Sequence, residues 1–167
     1  NVISGGSIGG LLRYRSDALI PAINDLGRIA VATADVVNSQ LGQGLDLNGE
    51  FGSSLFTDIN SASAVALRSQ AAQGNLGDGA LGVTIKDTSK LTNYDYKVSF
   101  NDSTDLTKAT VLRSDGKAMG GYDLSATPPP VIDGFTLAVK SGAVQAGDSF
   151  KVSPTANGAK EIGTVLT

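Results

Sequence analysis

The chain of 167 residues has no cysteine, no histidine and no tryptophan, one methionine and five prolines. Without cysteine there is no disulfide framework and no thiolate metal site, so stability rests on packing alone. Without histidine there is no imidazole to work as acid or base near neutral pH. Ser-His-Asp and Cys-His nucleophile systems, the HExxH zinc motif and Cys/His zinc sites all disappear together. Charged residues are only 17% of the chain and the net charge is -3, so nothing attracts a phosphate backbone or an anionic lipid surface. Neither nucleic acid nor membrane is expected as a partner. No apolar run approaches the roughly 18 residues of a membrane span, and the first residues lack the basic, apolar and small-residue order of a cleavable signal. What is abundant is glycine, at 21 residues, which with the scarcity of aromatics suits a loop-rich sheet built on aliphatic side chains. A chain of this length buries roughly 68 to 70% of its unfolded surface, enough for one ordinary domain or two small ones.

The apolar residues divide the chain by period. Ile8, Leu12, Leu19, Ile23, Leu26, Ala30, Ala34, Val37 and Leu41 recur at steps of three, four or seven, which predicts one face of a long helix. Leu11, Ala18, Ala22, Ile29 and Val36 widen that face, while Asp17, Asn24, Arg28, Asp35 and Asn38 form a narrow polar stripe expected to stay in water. A helix packed on two sides is expected, with Leu12, Leu19, Ile23, Leu26, Ile29, Ala30 and Val37 as its packing face. At 1.5 Å per residue it spans about 50 Å, more than a core of this size requires. Pro21 removes one helical bond and clashes with the preceding turn. Either a short helix ends near Ser16 and Asp17, whose side chains offer N-caps, or one helix bends; the bend is favoured. Gly9 and Gly10 are expected to free the chain before the helix, and Gly42 or Gly44 to end it in a left-handed conformation.

Beyond Leu41 the stretch GQGLDLNGEFGSS is turn chemistry, with Asn48-Gly49 its strongest reverse-turn signal. Tyr94, Tyr96, Val98 and Phe100 then alternate with polar residues, as do Phe135, Leu137 and Val139, predicting half-buried strands. Shorter strands are expected over 81–86, 109–113, 149–152 and 161–166, separated by turns rich in Asp and Gly. The fold class is therefore α+β, a long shaft helix of the kind found in helical bundles followed by an antiparallel β domain. Its divisions are a helical segment over 1–45, a connecting loop region over 46–75 and a β domain over 76–167. The β core is assigned to Tyr94, Tyr96, Val98, Phe100, Phe135, Leu137, Val139, Phe150 and Val152. The stretch from Ser63 to Gln73 fits helix or strand.

Three local patterns imitate functional motifs. Gly77, Gly79 and Gly82 have the spacing of a dinucleotide-binding turn, but a strand-like LGVTIK follows where that motif opens a helix, so a loop is expected. Asp46, Asn48 and Glu50 alternate as at the start of a calcium loop, yet Phe51 stands where the turn needs glycine and Thr57 where a bidentate glutamate belongs. Asn101-Asp102-Ser103 fits the glycan acceptor pattern and reads as a polar loop. The sixteen acids offer no distinguished pair for glycoside hydrolysis. Tyr94 and Tyr96 could stack a sugar, but their alternation turns them inward. No catalytic residue, cofactor or metal site is expected, and the chain is not expected to be an enzyme.

Taken as a set, residues 5 to 56 resemble the FlgK family, the flagellar hook-associated proteins at the hook-filament junction. The resemblance rests on Gly9 to Leu12, Leu26 to Ala30, Asn38-Ser39-Gln40, the turn at Gly44 and Asp46 to Gly49, and Leu55-Phe56. It continues in Tyr94 to Phe100, Asp133-Gly134-Phe135 and Gly147 to Pro154, and so covers almost the whole chain. It implies a secreted, extracellular structural adaptor of the bacterial flagellum with no catalytic site. Its implied partners are like subunits in a ring, the hook protein, a second junction protein and an export chaperone. The terminal heptad helices of that family are not in this sequence, so the resemblance implies an internal fragment, with the chaperone met through regions outside it. Absence of cysteine fits a chain exported unfolded. An alternative from the residues is an extracellular binding or adhesive β module on a helical stalk.

Overall fold

A computed structural model describes residues 5–45 and 48–165. The chain opens with one continuous helical run: α1 (Gly6–Tyr14), a π-helical turn (Arg15–Leu19) and α2 (Ile20–Gln43). The π turn is the structural answer to Pro21. Proline has no N–H to donate and its ring presses on the carbonyl four residues back. Here the Ile20 amide reaches to Arg15 O, five residues back, so the ladder is already widened where the proline falls. Ser16 and Asp17 do not cap a second helix; the Ser16 hydroxyl donates to Arg13 O at 3.1 Å inside the run. Gly9 and Gly10 lie within α1 rather than before it. At the other end Gly44 is extended at φ -81, not left-handed, and its amide bonds Leu41 O at 3.1 Å. The chain reverses instead at Gly49, with φ 82, and Leu45 bridges Phe51. Asp46 and Leu47, the first of them in the calcium-like pattern, lie outside the described residues.

Two antiparallel sheets follow. Five strands run in the order β1 (Ser69–Ala71), β7 (Ser149–Val152), β3 (Tyr96–Ser99), β4 (Lys108–Arg113), β5 (Ala118–Asp123). A second sheet pairs β2 (Ala80–Ile85) with β6 (Phe135–Ser141), Val83 opposite Leu137. Their facing sides close a core that includes Val83, Tyr96, Val98, Phe100, Phe135, Leu137, Phe150 and Val152, each at most 2% exposed. Tyr96 meets Phe135 edge-on with centroids 5.0 Å apart, and Phe100 meets Phe150 at 5.9 Å. Such T-shaped pairs add about 0.5–1.5 kcal/mol beyond their buried area.

Two residues assigned to this core lie elsewhere. Val139 is 39% exposed, because the burial of β6 stops at Leu137 and its last residues run past the core, beside an irregularity in the register at Ala80 and Leu81. Tyr94 precedes β3, is half-buried, and has the Arg113 guanidinium 4.6 Å above its ring. The region 46–75 is more than a connecting loop. Ser61 caps a short helix, α3 (Ala62–Leu67), accepting from the Ala64 amide, and β1 follows directly as the edge of the larger sheet. Ser63 to Gln73 is thus helix and then strand. The strand expected over 161–166 is replaced by a helical turn, α4 (Gly158–Glu161), and an isolated bridge from Thr164 to Phe56; Leu166 lies outside the described residues. β5 went unread in the sequence because its Gly120-Gly121 pair imitates a turn. In the structure it is an edge strand, with Gly120 at φ 107 and a register shift in its partner at Val111 and Leu112.

Candidate functional surface

The β domain is seated on one narrow face of α2, where Asn24, Asp35 and Asn38 of the polar stripe expected to stay in water stand among Gly27, Val31 and Ala34. Asn24, Gly27, Val31 and Ala34 are the buried residues of α2. Asn24, 1% exposed, donates from Nδ2 to Asn93 O and to Asp95 Oδ1, both at 3.0 Å. One residue on, Asp25 accepts from Asn93 at 3.1 Å and from Arg28 at 3.0 Å. Farther along, Asp35 accepts from the Thr88 hydroxyl at 3.3 Å. Asn38 closes the seam: its Oδ1 accepts from the amides of Leu55 and Phe56 at 3.0 and 2.9 Å, and its Nδ2 donates to Phe56 O at 2.9 Å. An amide side chain matches both a backbone donor and a backbone acceptor, so Asn24 and Asn38 fasten loops to the helix at either end of a short apolar contact made by Val31 and Ala34.

The seam tolerates no side chain where backbone crosses backbone. A Cβ placed on Gly27 would stand 1.7 Å from Thr155 O, and one on Gly158 would stand 2.4 Å from Gly27 O. These two glycines let the Thr155–Gly158 turn and α4 rest against the helix. From α4, Glu161 reaches back to Arg68, 3.7 Å away. Arg68 is 2% exposed and donates to Ile59 O, to Val83 O at 3.1 Å and to Asn60 Oδ1 at 3.4 Å. Burial pushes its pKa down against the opposing pull of Glu161 and Asp58, while burial pushes Glu161 up against the pull of Arg68. One guanidinium therefore ties the strand start, β2 and the helix-contacting turn together.

Much of the apolar surface of the helix is uncovered among the described residues. Ile8, Leu11, Leu12, Leu19, Ile23, Leu26, Ile29 and Val36 are each 43% or more exposed. Of the expected packing face, Leu12, Leu19, Ile23, Leu26 and Ile29 face solvent in this structure, and Ala30 and Val37 are half-buried beside the seam. Periodicity located apolar residues correctly but could not say that the stripe between them would be the face covered by the β domain.

The motif-like patterns find structural roles. Gly77 gives its amide to Asp148, which also accepts from Leu76 and Gln145, in a packed turn with no helix after it. Burial pushes the Asp148 carboxyl up, but the three backbone donors outweigh it and hold the group below the usual range. Gly79 bonds Ala143 O, and Gly82 lies within β2. Asn101 stands in an exposed loop, its side chain donating to Thr110. Arg113 grips Asp115 through two bonds of 2.7 and 3.0 Å, which holds that carboxyl down to about 2. Tyr96 donates to Asp133 at 2.6 Å, joining the same cluster. Among the described residues no group of three or more acids could hold a metal ion, and no helix is long and apolar enough to cross a membrane.

A long helix with two bare apolar flanks, carrying a β domain on its polar edge, defines a class: a shaft segment with an outer domain, built to pack. Comparison with known proteins gives the particular case. Residues 1–56 match the family described as "Flagellar hook-associated protein FlgK helical domain". The chain is 35% identical over 153 residues to flagellar hook-associated protein 1 of Escherichia coli strain K12, an alignment covering 86% of this chain and 27% of that protein. It is 32% identical over 168 residues to the Salmonella typhimurium protein of the same name, covering 99% of this chain and 28% of that one. The flagellar hook junction protein FlgK from Burkholderia pseudomallei superimposes with a TM-score of 0.79 at 36% identity, covering 97% of this chain and 28% of that chain. Over almost its whole length the chain is thus similar to part of the flagellar hook-associated protein FlgK. It spans little more than a quarter of the length of these relatives.

Proposed function

We propose that this chain is the shaft-and-outer-domain portion of a structural adaptor at the hook-filament junction of a bacterial flagellum, exported and extracellular, with no catalytic step. The observation that carries the reading is the division of labour around one helix. The β domain is fastened to the polar seam, and both apolar flanks are left for other helices. Those helices belong, in this reading, to further segments of the same polypeptide, since the related proteins are more than three times as long as the matched stretch. Like subunits form a ring, with the hook protein on one side and a second junction protein on the other. An export chaperone meets regions outside this stretch.

Leu26→Asp tests the reading. Leu26 is 60% exposed here, so in this chain alone the change shifts stability by no more than about 0.5 kcal/mol. In the full-length protein it strands a charge between helices and costs several kcal/mol, with loss of filament attachment and motility. A full-length variant as stable and motile as the wild type refutes the clasped helix.

A further inference from the structure

The dipeptide Asn-Gly occurs at Asn48-Gly49 and again at Asn157-Gly158, and the fold treats the two differently. An asparagine before glycine can lose its side-chain amide without an enzyme, because glycine has no Cβ to shield its backbone nitrogen or restrict its rotation. Ring closure needs that nitrogen beside the asparagine Cβ, so local geometry and freedom to turn set the rate. Asn157-Gly158 is held away from that geometry. Asn157 has ψ -2, which eclipses the Gly158 nitrogen with the nitrogen of Asn157 itself rather than with its Cβ. The Gly158 amide donates to Thr155 O at 2.9 Å, the Asn157 side chain donates to Leu67 O at 3.3 Å, and Asn157 O accepts from the amides of Lys160 at 2.9 Å and Glu161 at 3.0 Å. Gly158 is also buried, lodged against Gly27 and Val31 of α2. Asn48-Gly49 stands at the other extreme. Both residues are exposed, and Gly49 has φ 82 with nothing within 4 Å of where a Cβ would stand. The pair lies in the chain reversal that leaves α2, closed at its base by the Leu45 to Phe51 bridge and by the Gly52 amide donating to Gly44 O at 2.9 Å.

We propose that Asn48 is a site of spontaneous, irreversible deamidation with isoaspartate formation, and that the fold protects Asn157 from the same reaction. The Gly49 nitrogen attacks Asn48 Cγ, the Cγ–Nδ2 bond breaks, and ammonia leaves with the former backbone amide proton. Water then opens the five-membered imide at either carbonyl, giving aspartate or isoaspartate. Both products place a new negative charge beside Glu50. Isoaspartate also routes the backbone through the former side chain, and the extra atom falls between Leu45 and Phe51, whose bridge it displaces. The change therefore accumulates with the age of the protein at the joint where the chain leaves the long helix for the β domain.

The test is peptide mapping by mass spectrometry after the intact, folded protein has been held at mildly alkaline pH, with isoaspartate read by methylation with an isoaspartate methyltransferase. Asn48 is expected to convert to acid products, isoaspartate among them. Asn157 is expected to convert about tenfold or more slowly, since its turn must first open and give up several hydrogen bonds. In denaturant, where neither turn is held, the two rates are expected to converge. Conversion of Asn157 as fast as Asn48 in the folded protein overturns the proposal, as does an Asn48 that stays intact in the folded protein and reacts only in denaturant.

Discussion

Gly27→Ala sets two well-known effects against each other and lets the structure decide the sign. In a helix interior, alanine is favoured over glycine by about 0.8–1.0 kcal/mol. Against that gain stands the position of the new methyl: 1.7 Å from Thr155 O, 2.8 Å from Thr155 C and 3.4 Å from Gly158 N. All three atoms are backbone, so no rotamer change relieves the overlap. Carbon and oxygen pack at about 3.5 Å, so the Thr155–Gly158 turn must retreat by well over 1 Å. That retreat is opposed by the reciprocal contact, because Gly158 is itself lodged against Gly27 O and the Val31 side chain. Overpacking of this kind costs typically about 1–3 kcal/mol and sometimes more; with contact at half the normal distance we place it at or above the upper end. The net expectation is destabilisation by about 2 kcal/mol or more, a drop of about 4–8 °C in Tm for a chain of this size, with faster amide exchange over residues 155–161. Gly42→Ala is the control: it lies in the same helix with nothing within 4 Å of its new Cβ, and it should raise stability by up to about 1 kcal/mol. A Gly27→Ala protein as stable as the wild type, with Gly158 amide protection intact, would show that the crossing has room for a methyl group and that the seam is not what fixes the β domain on the helix.

The other predictions concern the polar groups that the fold depends on. Asn38→Ala leaves two amides and a carbonyl of Leu55 and Phe56 without their partner, and should cost about 1–3 kcal/mol in chemical denaturation; Ser39→Ala, one residue along and exposed, should cost nearly nothing. Arg68→Met strands Glu161 and the carbonyls of Ile59 and Val83, with an expected loss of about 3–5 kcal/mol, and stability equal to wild type would contradict the account of Arg68 as a tie. Asp148 has a folded pKa below its unfolded value, so its contribution is present above about pH 4, the unfolded value, and is lost as pH falls through the folded one. Asp148→Asn should therefore be less stable at neutral pH and lose less on acidification, so that the two curves converge in acid; parallel curves would argue against the three-amide cradle.

The clearest reading in the sequence was the long helix, because a spacing of three and four over more than thirty residues has no other regular solution. Tyr96, Val98, Phe100, Phe135, Leu137, Phe150 and Val152 were likewise readable as core, since alternation along a strand sends every second side chain to one side. Tyr94 and Val139 obey the same alternation and yet leave the core, because a strand's period says nothing about where its pairing stops. The polar stripe was the largest miss. Asn24 and Asn38 have the composition of a solvated edge, and only the approach of loops 55–56 and 93–95 turns their amides into fasteners. Arg68 and the Gly27–Gly158 crossing were equally invisible, since the residues involved lie about 90 and 130 positions apart.

By itself, then, the order of residues determined the local geometry: a helix two-sided in its apolar character, strands alternating about a common core, no cysteine or histidine on which common chemistries depend, and the likeness to hook-associated proteins. Only the tertiary structure decided which stripe of the helix the β domain occupies, and where two backbones touch closely enough to require glycine. The physical reason is range. Periodicity and turn preference act over a few residues along the chain, whereas the choice of mating faces is made by contacts between segments that the chain brings together only after it has folded.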